Sequence, residues 1–296
     1  VPTHFFAHLS DRALIRVGGP EAQHFLQNLV TSDIDTVDKT GASAGALLTP
    51  QGKILFDFLI YKAEDGYLLD TPAATAPDFL KRLTFYRLRA KVDLELLDAG
   101  TGVLAVWGEP VETATAELRV TDPRLEALGQ RLVGPVTEMT SELDDSDAGL
   151  AAYHTHRIGL GVPEGLQDYD YSEIFPHDAD LDQLGGVSFS KGCYVGQEVV
   201  SRVQHRGTAR KRFVQIESSG PLPGKGSDVK AGGKTIGTLG SSTTSEAGST
   251  GLALMRLDKV VQAKDNGSLL ECGDAEILVK LPEWAGFSLP EPGAAD

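Results

Sequence analysis

A cysteine set between two glycines constrains this chain more than any other feature: Lys191-Gly192-Cys193-Tyr194-Val195-Gly196-Gln197-Glu198. Glycine lets a backbone turn tightly and approach another segment closely, so the thiol belongs to a compact turn. An amphipathic run follows, which predicts a helix starting at Gly196 or Gln197. The free N–H groups of that first turn would face back toward the thiol and favour thiolate. The plainer reading is a small buried residue at a turn, as free cysteines commonly are.

Composition bounds the alternatives. The 296 residues, 41% hydrophobic and 23% charged, suffice for one large domain or two to three small ones and argue against disorder throughout. The 27 Lys and Arg against 42 Asp and Glu leave a net charge of −15, so direct nucleic-acid binding is not expected. Two cysteines, Cys193 and Cys272, make no disulfide framework and point to a reducing compartment. Val1-Pro2-Thr3-His4-Phe5 lacks the basic and long apolar segments of a signal peptide. No stretch approaches the roughly 20 apolar residues of a membrane span. A cytoplasmic protein is the expectation.

Hydrophobic periodicity places the elements. Residues 11–18 read as a strand, and Gly19-Pro20-Glu21 opens a helix whose apolar face carries Phe25, Leu26, Leu29 and Val30. Residues 44–49 and 53–61 form a hairpin about Thr49-Pro50-Gln51-Gly52, and 67–70 add a strand. Pro77 to Leu88 reads as a helix burying Phe79, Leu80, Leu83 and Tyr86, with strands following at 92–96 and 103–107. Ser141 to Asp147 reads as a solvated helix start and Ala148 to Ile158 as the helix. Short strands at 213–217, 234–239, 251–257 and 275–281 suggest an all-β module, interrupted by a loop-like Ser/Thr-rich run from Ser241 to Thr250. The Pro-, Gly- and Ala-rich tail after Trp284 is expected to be poorly ordered. The pattern alone gives α+β followed by all-β.

The octapeptide also resembles the signature K-G-C-Y-x-G-Q-E of YgfZ-type folate-binding proteins, relatives of the glycine-cleavage T-protein, an aminomethyltransferase. Leu26-Gln27-Asn28-Leu29-Val30-Thr31-Ser32-Asp33-Ile34 resembles the first helix and turn of that family, and Gly45 to Asp57 its hairpin. Phe85 to Val92 and Phe175-Pro176-His177-Asp178-Ala179 fit as well. The likeness runs in order through most of residues 1–215 and thins over 100–150 and 215–296. It implies an α+β fold: two mixed α/β subdomains, 1–100 and 101–212, around a central folate-binding opening, then a small β-barrel over 213–286 and a flexible tail over 287–296. It further implies a tetrahydrofolate-binding accessory factor for iron–sulfur cluster assembly or repair, acting indirectly on tRNA modification. The implied cofactor is tetrahydrofolate or a one-carbon derivative, and the partners are iron–sulfur proteins or their assembly factors. A folate-dependent one-carbon (aminomethyl or methyl) transferase is the alternative.

Candidate chemistry centres on Cys193 and Asp57. Asp57 lies in an apolar strand, where burial would raise its pKa and fit it to carry a proton or meet a ligand nitrogen; a solvated face is the other reading. By resemblance Asp57 is the second member of the T-protein acidic pair, the one at the reacting end of folate. Phe56 stands at the first position, so the pair is broken. The T-protein glutamate two residues beyond an arginine is likewise replaced, by Gly159 after Arg157, which leaves Asp178 as the candidate carboxylate. Between Lys191 and Arg212 lie six Lys or Arg (Lys191, Arg202, Arg206, Arg210, Lys211, Arg212) against one acid, Glu198. Lys81, Arg82, Arg87, Arg89 and Lys91 form a second cluster. In an acidic chain these are candidate anion sites for a folate tail, an RNA phosphate or an acidic partner; a solvated helix face and a basic turn are the plainer reading. Lys211 and Arg212 lie where T-proteins place basic residues near folate. Phe85, Tyr86 and Tyr194 are candidate aromatic walls for its rings. With Arg87, Lys191, Gln197 and Glu198 these complete the expected folate contacts.

Other motifs fail. His154 and His156 diverge on a helix, and His177, His205 and Cys193 lack zinc spacing, so no intrinsic metal site is expected. Gly233-Lys234-Thr235 has Asp228 where a P-loop needs its first glycine, and Asp178 to Asp182 lacks the glycine and closing glutamate of a calcium loop. Asn266-Gly267-Ser268 is a glycosylation sequon only in a secreted protein.

Overall fold

A computed structural model describes residues 3–143, 146–207 and 209–291. By internal contacts the chain forms two units, Val1–His154 with Leu184–Gln197, and Thr155–Gln183 with Glu198–Asp296. The expected boundary at residues 100 and 101 falls inside the first unit.

The first unit is built in layers by strands that bury both faces. Its elements run β1 (His4–His8), β2 (Arg12–Gly18), α1 (Ala22–Gln27), α2 (Ile34–Thr40), β3 (Ala42–Leu48), β4 (Ile54–Ala63), β5 (Gly66–Pro72), α3 (Ala76–Arg87), β6 (Asp93–Leu96), β7 (Thr101–Gly108), β8 (Leu118–Thr121), β9 (Gln130–Pro135) and α4 (Val136–Leu143). One antiparallel sheet has the order β3-β4-β5-β2-β6 and the other β1-β7-β9-β8. They face each other across a core in which Leu14, Ala44, Leu59, Tyr61 and Leu68 meet Ala7, Val103, Ala105 and Val133. The period of two then sends alternate residues outward. Phe56 and Phe58 of β4 stack on Phe79 of α3, with ring centroids 4.7 and 5.5 Å apart. Leu104 and Val106 of β7 pack with Met139 of α4. Two arginines are enclosed with their acids: Arg12 Nε donates to Asp70 at 2.6 Å, and Arg131 Nε to Asp122 at 2.9 Å.

The chain leaves α4 for α5 (Gly149–Gly159) and, after a long irregular stretch, α6 (Gln197–Arg206). The second unit's sheet contains β10 (Lys211–Ser218), β11 (Asp228–Ala231), β12 (Lys234–Ser245), β13 (Gly248–Arg256), β14 (Leu270–Cys272), β15 (Ala275–Glu276) and β16 (Leu278–Lys280), with α7 (Leu257–Asp265) before β14. The order is β15-β14-β11-β12-β13-β10-β16. Register shifts at Val229/Lys230 and between Leu239 and Ser242 let it curl into a nearly closed barrel around Val214, Ile216, Ala253, Met255 and Cys272.

Several expectations are corrected. Ser241 to Thr250 is a hairpin, not a loop: Thr243 pairs with Thr250 and Thr244 with Ser249. Threonine suits a pleated surface, and a low-complexity composition does not register cross-strand pairing. The acidic run from Ser141 ends helix α4 rather than starting a helix, and Asp144 and Asp145 lie outside the described residues. Helix α7 went unrecognised at the end of a predicted strand. The segment after Trp284 is ordered as far as it is described, with Phe287 and Leu289 packed on the barrel core; residues 292–296 lie outside the described residues. On α3, Phe79 and Leu83 are buried as expected, Tyr86 is only half-buried, and Phe85 is exposed.

Candidate functional site

The cysteine loop is fastened to the first unit by hydrogen bonds from short polar residues between α1 and α2. Thr31 Oγ1 donates to Gly186 O at 2.6 Å and accepts from Ala46 N at 2.8 Å. Ser188 N donates to Thr31 O at 2.9 Å. Ser32 Oγ donates to Ala44 O at 2.7 Å. That hydroxyl occupies the space a side chain on Gly45 would need, since a Cβ there would lie 1.9 Å from it. The far end of the loop abuts the β3–β4 turn. Gly196 has φ +80, and a Cβ on it would lie 2.6 Å from Thr49 O.

Lys191 is the inner anchor. It is 9% exposed, and its Nζ donates to Val30 O at 2.8 Å and Ser32 O at 2.5 Å. Burial lowers its pKa to about 8, against the pull of Asp33 and Asp35. Tyr194 is 7% exposed; burial pushes its phenol up to about 12, and its hydroxyl has no hydrogen-bond partner among the described residues. Between these two buried side chains, Cys193 is exposed. The plainer reading of this thiol as a core residue is therefore wrong. That description belongs to Cys272, which is buried in the barrel with its thiol pushed up by burial and by Asp228.

Asp57 lies on β4, opposite Ala46, and is 9% exposed. Strand alternation turns its side chain away from the Phe56–Phe79 stack, and α3 carries Tyr86 and Arg87 on the Phe56 side. Asp57 and those two residues thus belong to opposite faces of one sheet. What Asp57 shares with the cysteine loop is the hairpin: β4 begins just past the turn on which Gly196 rests. Phe56, itself buried, occupies the position of the missing acid with an aromatic stack.

In the second unit one of the expected anion-binding cations has other work. Arg212 is buried, and its guanidinium donates to Asp182 at 2.5 and 3.0 Å and to His177 O at 2.7 Å, with Asp180 at 3.3 Å. Arg212 is therefore not a free cation for a folate tail: Asp182 already engages its guanidinium at two points. Burial raises Asp180 well above the usual carboxylate range despite Arg212, and raises Asp178 against the N–H it accepts from Phe175. Lys211 is exposed at the start of β10. Gln197 and Glu198 open α6, where Glu198 is exposed and pairs with Arg202 at 2.6 Å.

The sequence used Arg157 only to place Gly159 and did not show its enclosure, in which it donates to Asp168 at 2.6 Å and to Ser241 Oγ at 3.0 Å. Its signal was the spacing, four residues after buried Tyr153 on one helix. Gly159 lends its carbonyl to Gln215 Nε2 at 2.8 Å, and a Cβ there would meet nothing within 4 Å. Among the described residues no group of three or more His, Cys, Asp or Glu is placed to hold a metal ion, and no helix is long and apolar enough to cross a membrane.

Residues 7–131 match the family described as the GCVT N-terminal domain, and residues 210–287 that described as the CAF17 C-terminal beta-barrel domain. The iron–sulfur cluster assembly factor IBA57, mitochondrial, of Homo sapiens is 31% identical over 307 residues, covering 93% of this chain and 84% of the relative. The Mus musculus protein of the same name is 33% identical at the same coverage. The IBA57 homologue of Neurospora crassa is 34% identical over 227 residues, which are 70% of this chain and 52% of that relative, so the chain spans about half the length of such relatives. Among solved structures, the glycine cleavage system aminomethyltransferase T from Bartonella henselae shares the fold, with a TM-score of 0.75 at 18% identity, covering 95% of this chain and 86% of that one. The names of these IBA57 relatives all say mitochondrial, which overturns the cytoplasmic expectation. Free thiols report a reducing medium, not the membrane that encloses it.

Proposed function

The chain belongs to the family of the iron–sulfur cluster assembly factor IBA57, and we propose that it is an accessory factor for iron–sulfur cluster assembly or repair. The observation that carries this reading is the exposed Cys193 on a loop held by buried hydrogen bonds. Thiolate is the iron ligand of clusters, and a single thiolate leaves the remaining ligands to a partner. The partner is an iron–sulfur protein or another assembly factor. The octapeptide supports the finer YgfZ-type likeness, and an effect on tRNA modification would follow indirectly through cluster enzymes.

Tetrahydrofolate or a one-carbon derivative is the proposed cofactor. The first unit offers it Asp57, a nearly buried carboxylate for a ring N–H, and the Tyr194 hydroxyl, a buried polar atom without a partner. When bound, folate supplies a one-carbon acceptor or donor. Two of the three Lys191 N–H donors are taken by Val30 O and Ser32 O, so its main part in this reading is to anchor the loop. The retained Asp57 also supports a second reading, a one-carbon transferase; buried Phe56 and the bare Gly159 oppose it.

The test is rescue of an iron–sulfur enzyme in cells lacking this protein, by wild type or Cys193→Ala at equal expression. Rescue by wild type alone is expected, with Cys193→Ala losing most of the restored activity. Equal rescue overturns the role of the thiol. Turnover of an aminomethyl donor with tetrahydrofolate by purified protein favours the transferase.

A further inference from the structure

The end of α3 carries an apolar pair that the fold does not cover. Phe85 is 68% exposed and Leu88 is 85% exposed. Phe85 lies in the last turn of α3, and Leu88 is the residue at which the helix stops, three positions on. The other large exposed apolar residues among the described residues are Phe5, Phe189, Leu269 and Leu278, and none of them stands in a basic segment like that of α3. Phe85 makes an edge-on contact with Tyr86, with centroids 5.7 Å apart.

The charge around this pair runs against the rest of the molecule. Between Asp78 and Asp93 the sequence has Lys81, Arg82, Arg87, Arg89 and Lys91 and no acid, in a chain of net charge −15. Among the described residues, no ion pair engages any of these five side chains. Arg87 reaches only Val92 O, at 3.5 Å. The nearby carboxylate of Glu21 accepts the Lys91 backbone N–H at 2.6 Å.

The backbone gives an independent sign. Leu88 has φ 47 and ψ −105, a conformation open to glycine and strained for leucine. An exposed leucine held there adds nothing to the core. Its backbone angles set the direction in which the Cα–Cβ bond leaves the chain.

We infer that Phe85 and Leu88, with Arg82, Arg87 and Arg89 beside them in the chain, form a docking surface for an acidic protein partner that receives the two side chains in an apolar pocket. Arginine forks pair bidentately with carboxylates, and arginine with aromatic anchors is the composition of binding hot spots. The acidic partner follows from charge complementarity, which also steers association. A protein is favoured over an anionic bilayer by the strain: a fluid surface accepts a side chain in any direction, whereas a pocket demands one.

The test places a photo-crosslinking benzophenone amino acid at position 88 of the full chain in its native cells, with the same probe at position 278 as control. The expected product is one protein, crosslinked through an acidic segment, absent from the control. Arg82→Glu with Arg89→Glu should cut its yield at least about tenfold, and reversing the acids of the crosslinked segment to lysine should restore it. Leu88→Gly should weaken binding of that purified partner while Tm stays level or rises. A yield no greater than the control, a product indifferent to charge reversal, or a lower Tm for Leu88→Gly overturns the inference. So does binding to vesicles of phosphatidylcholine and cardiolipin that Leu88→Ser abolishes. Cys193→Ala should leave the crosslink intact, so a failure of the cluster reading and a failure of this surface are told apart.

Discussion

Lys191 and Arg212 open and close the same basic stretch, and both are buried, but they face different partners. Lys191 in the first unit donates to two neutral carbonyls. Arg212 in the second is held by Asp182, with Asp180 beside it. The carbonyls do not balance an ammonium, so burial prevails and the Lys191 pKa falls to about 8. Burial also works against Arg212, but its carboxylates outweigh it and raise the pKa. The cation with counter-charges is locked into its fold; the one without them anchors a loop whose neighbouring thiol is exposed. A buried cation is thus no guide to function until its partners are known.

The comparison breaks first at Arg212. Arg212→Met leaves the buried Asp182 carboxylate without its counter-charge, with Asp180 beside it, and should cost about 3–5 kcal/mol by urea denaturation. Adding Asp180→Asn and Asp182→Asn should recover much of the loss. If it does not, the arginine acts by packing, for instance against Phe287, whose ring centroid lies 4.9 Å away.

Next comes the outer anchor of the cysteine loop. Gly196→Ala would strain a φ of +80 and drive a methyl against Thr49 O. It should cost about 1–3 kcal/mol and lower rescue of the cluster enzyme, although Cys193 itself is unchanged. A full-strength rescue would show that loop position does not matter to the thiol.

The smallest effect sharpens the comparison most. Lys191→Met removes two hydrogen bonds together with a desolvated charge, a net loss of about 1–2 kcal/mol at neutral pH. The folded state binds the Lys191 proton less tightly than the unfolded one, whose pKa lies near the usual 10.5. Wild type should therefore gain stability relative to Lys191→Met as pH rises from about 8 toward 10.5. Parallel pH profiles for the two proteins would mean that the ammonium is as well solvated folded as unfolded.

Part of the fold was legible because turns and glycines mark where strands and helices meet. The β3–β4 hairpin and the start of α6 at Gln197 lie where periodicity and glycine placed them. The β12–β13 hairpin did not show, because serine and threonine are common to loops and to strands, and only pairing between Thr244 and Ser249 distinguishes the two. The site divided in the same way. Cys193 and Asp57 were visible as residue types out of keeping with their surroundings. The latch at Thr31 and Ser32 was not, since its partners lie about 155 residues away in sequence for the Thr31–Gly186 bond.

What the sequence determined by itself was the set of local commitments: where the backbone turns, which strand faces are apolar, and which short segment brings a thiol between glycines. These follow from sterics and periodicity, which act over a few residues. Only the tertiary structure decided what each charge is for. Lys191, Arg212 and Arg89 belong to similar basic runs, yet one holds carbonyls, one holds carboxylates and one has no ion-pair partner among the described residues. Electrostatic roles depend on burial and on counter-charges brought from distant segments, and neither is written at the residue that bears the charge.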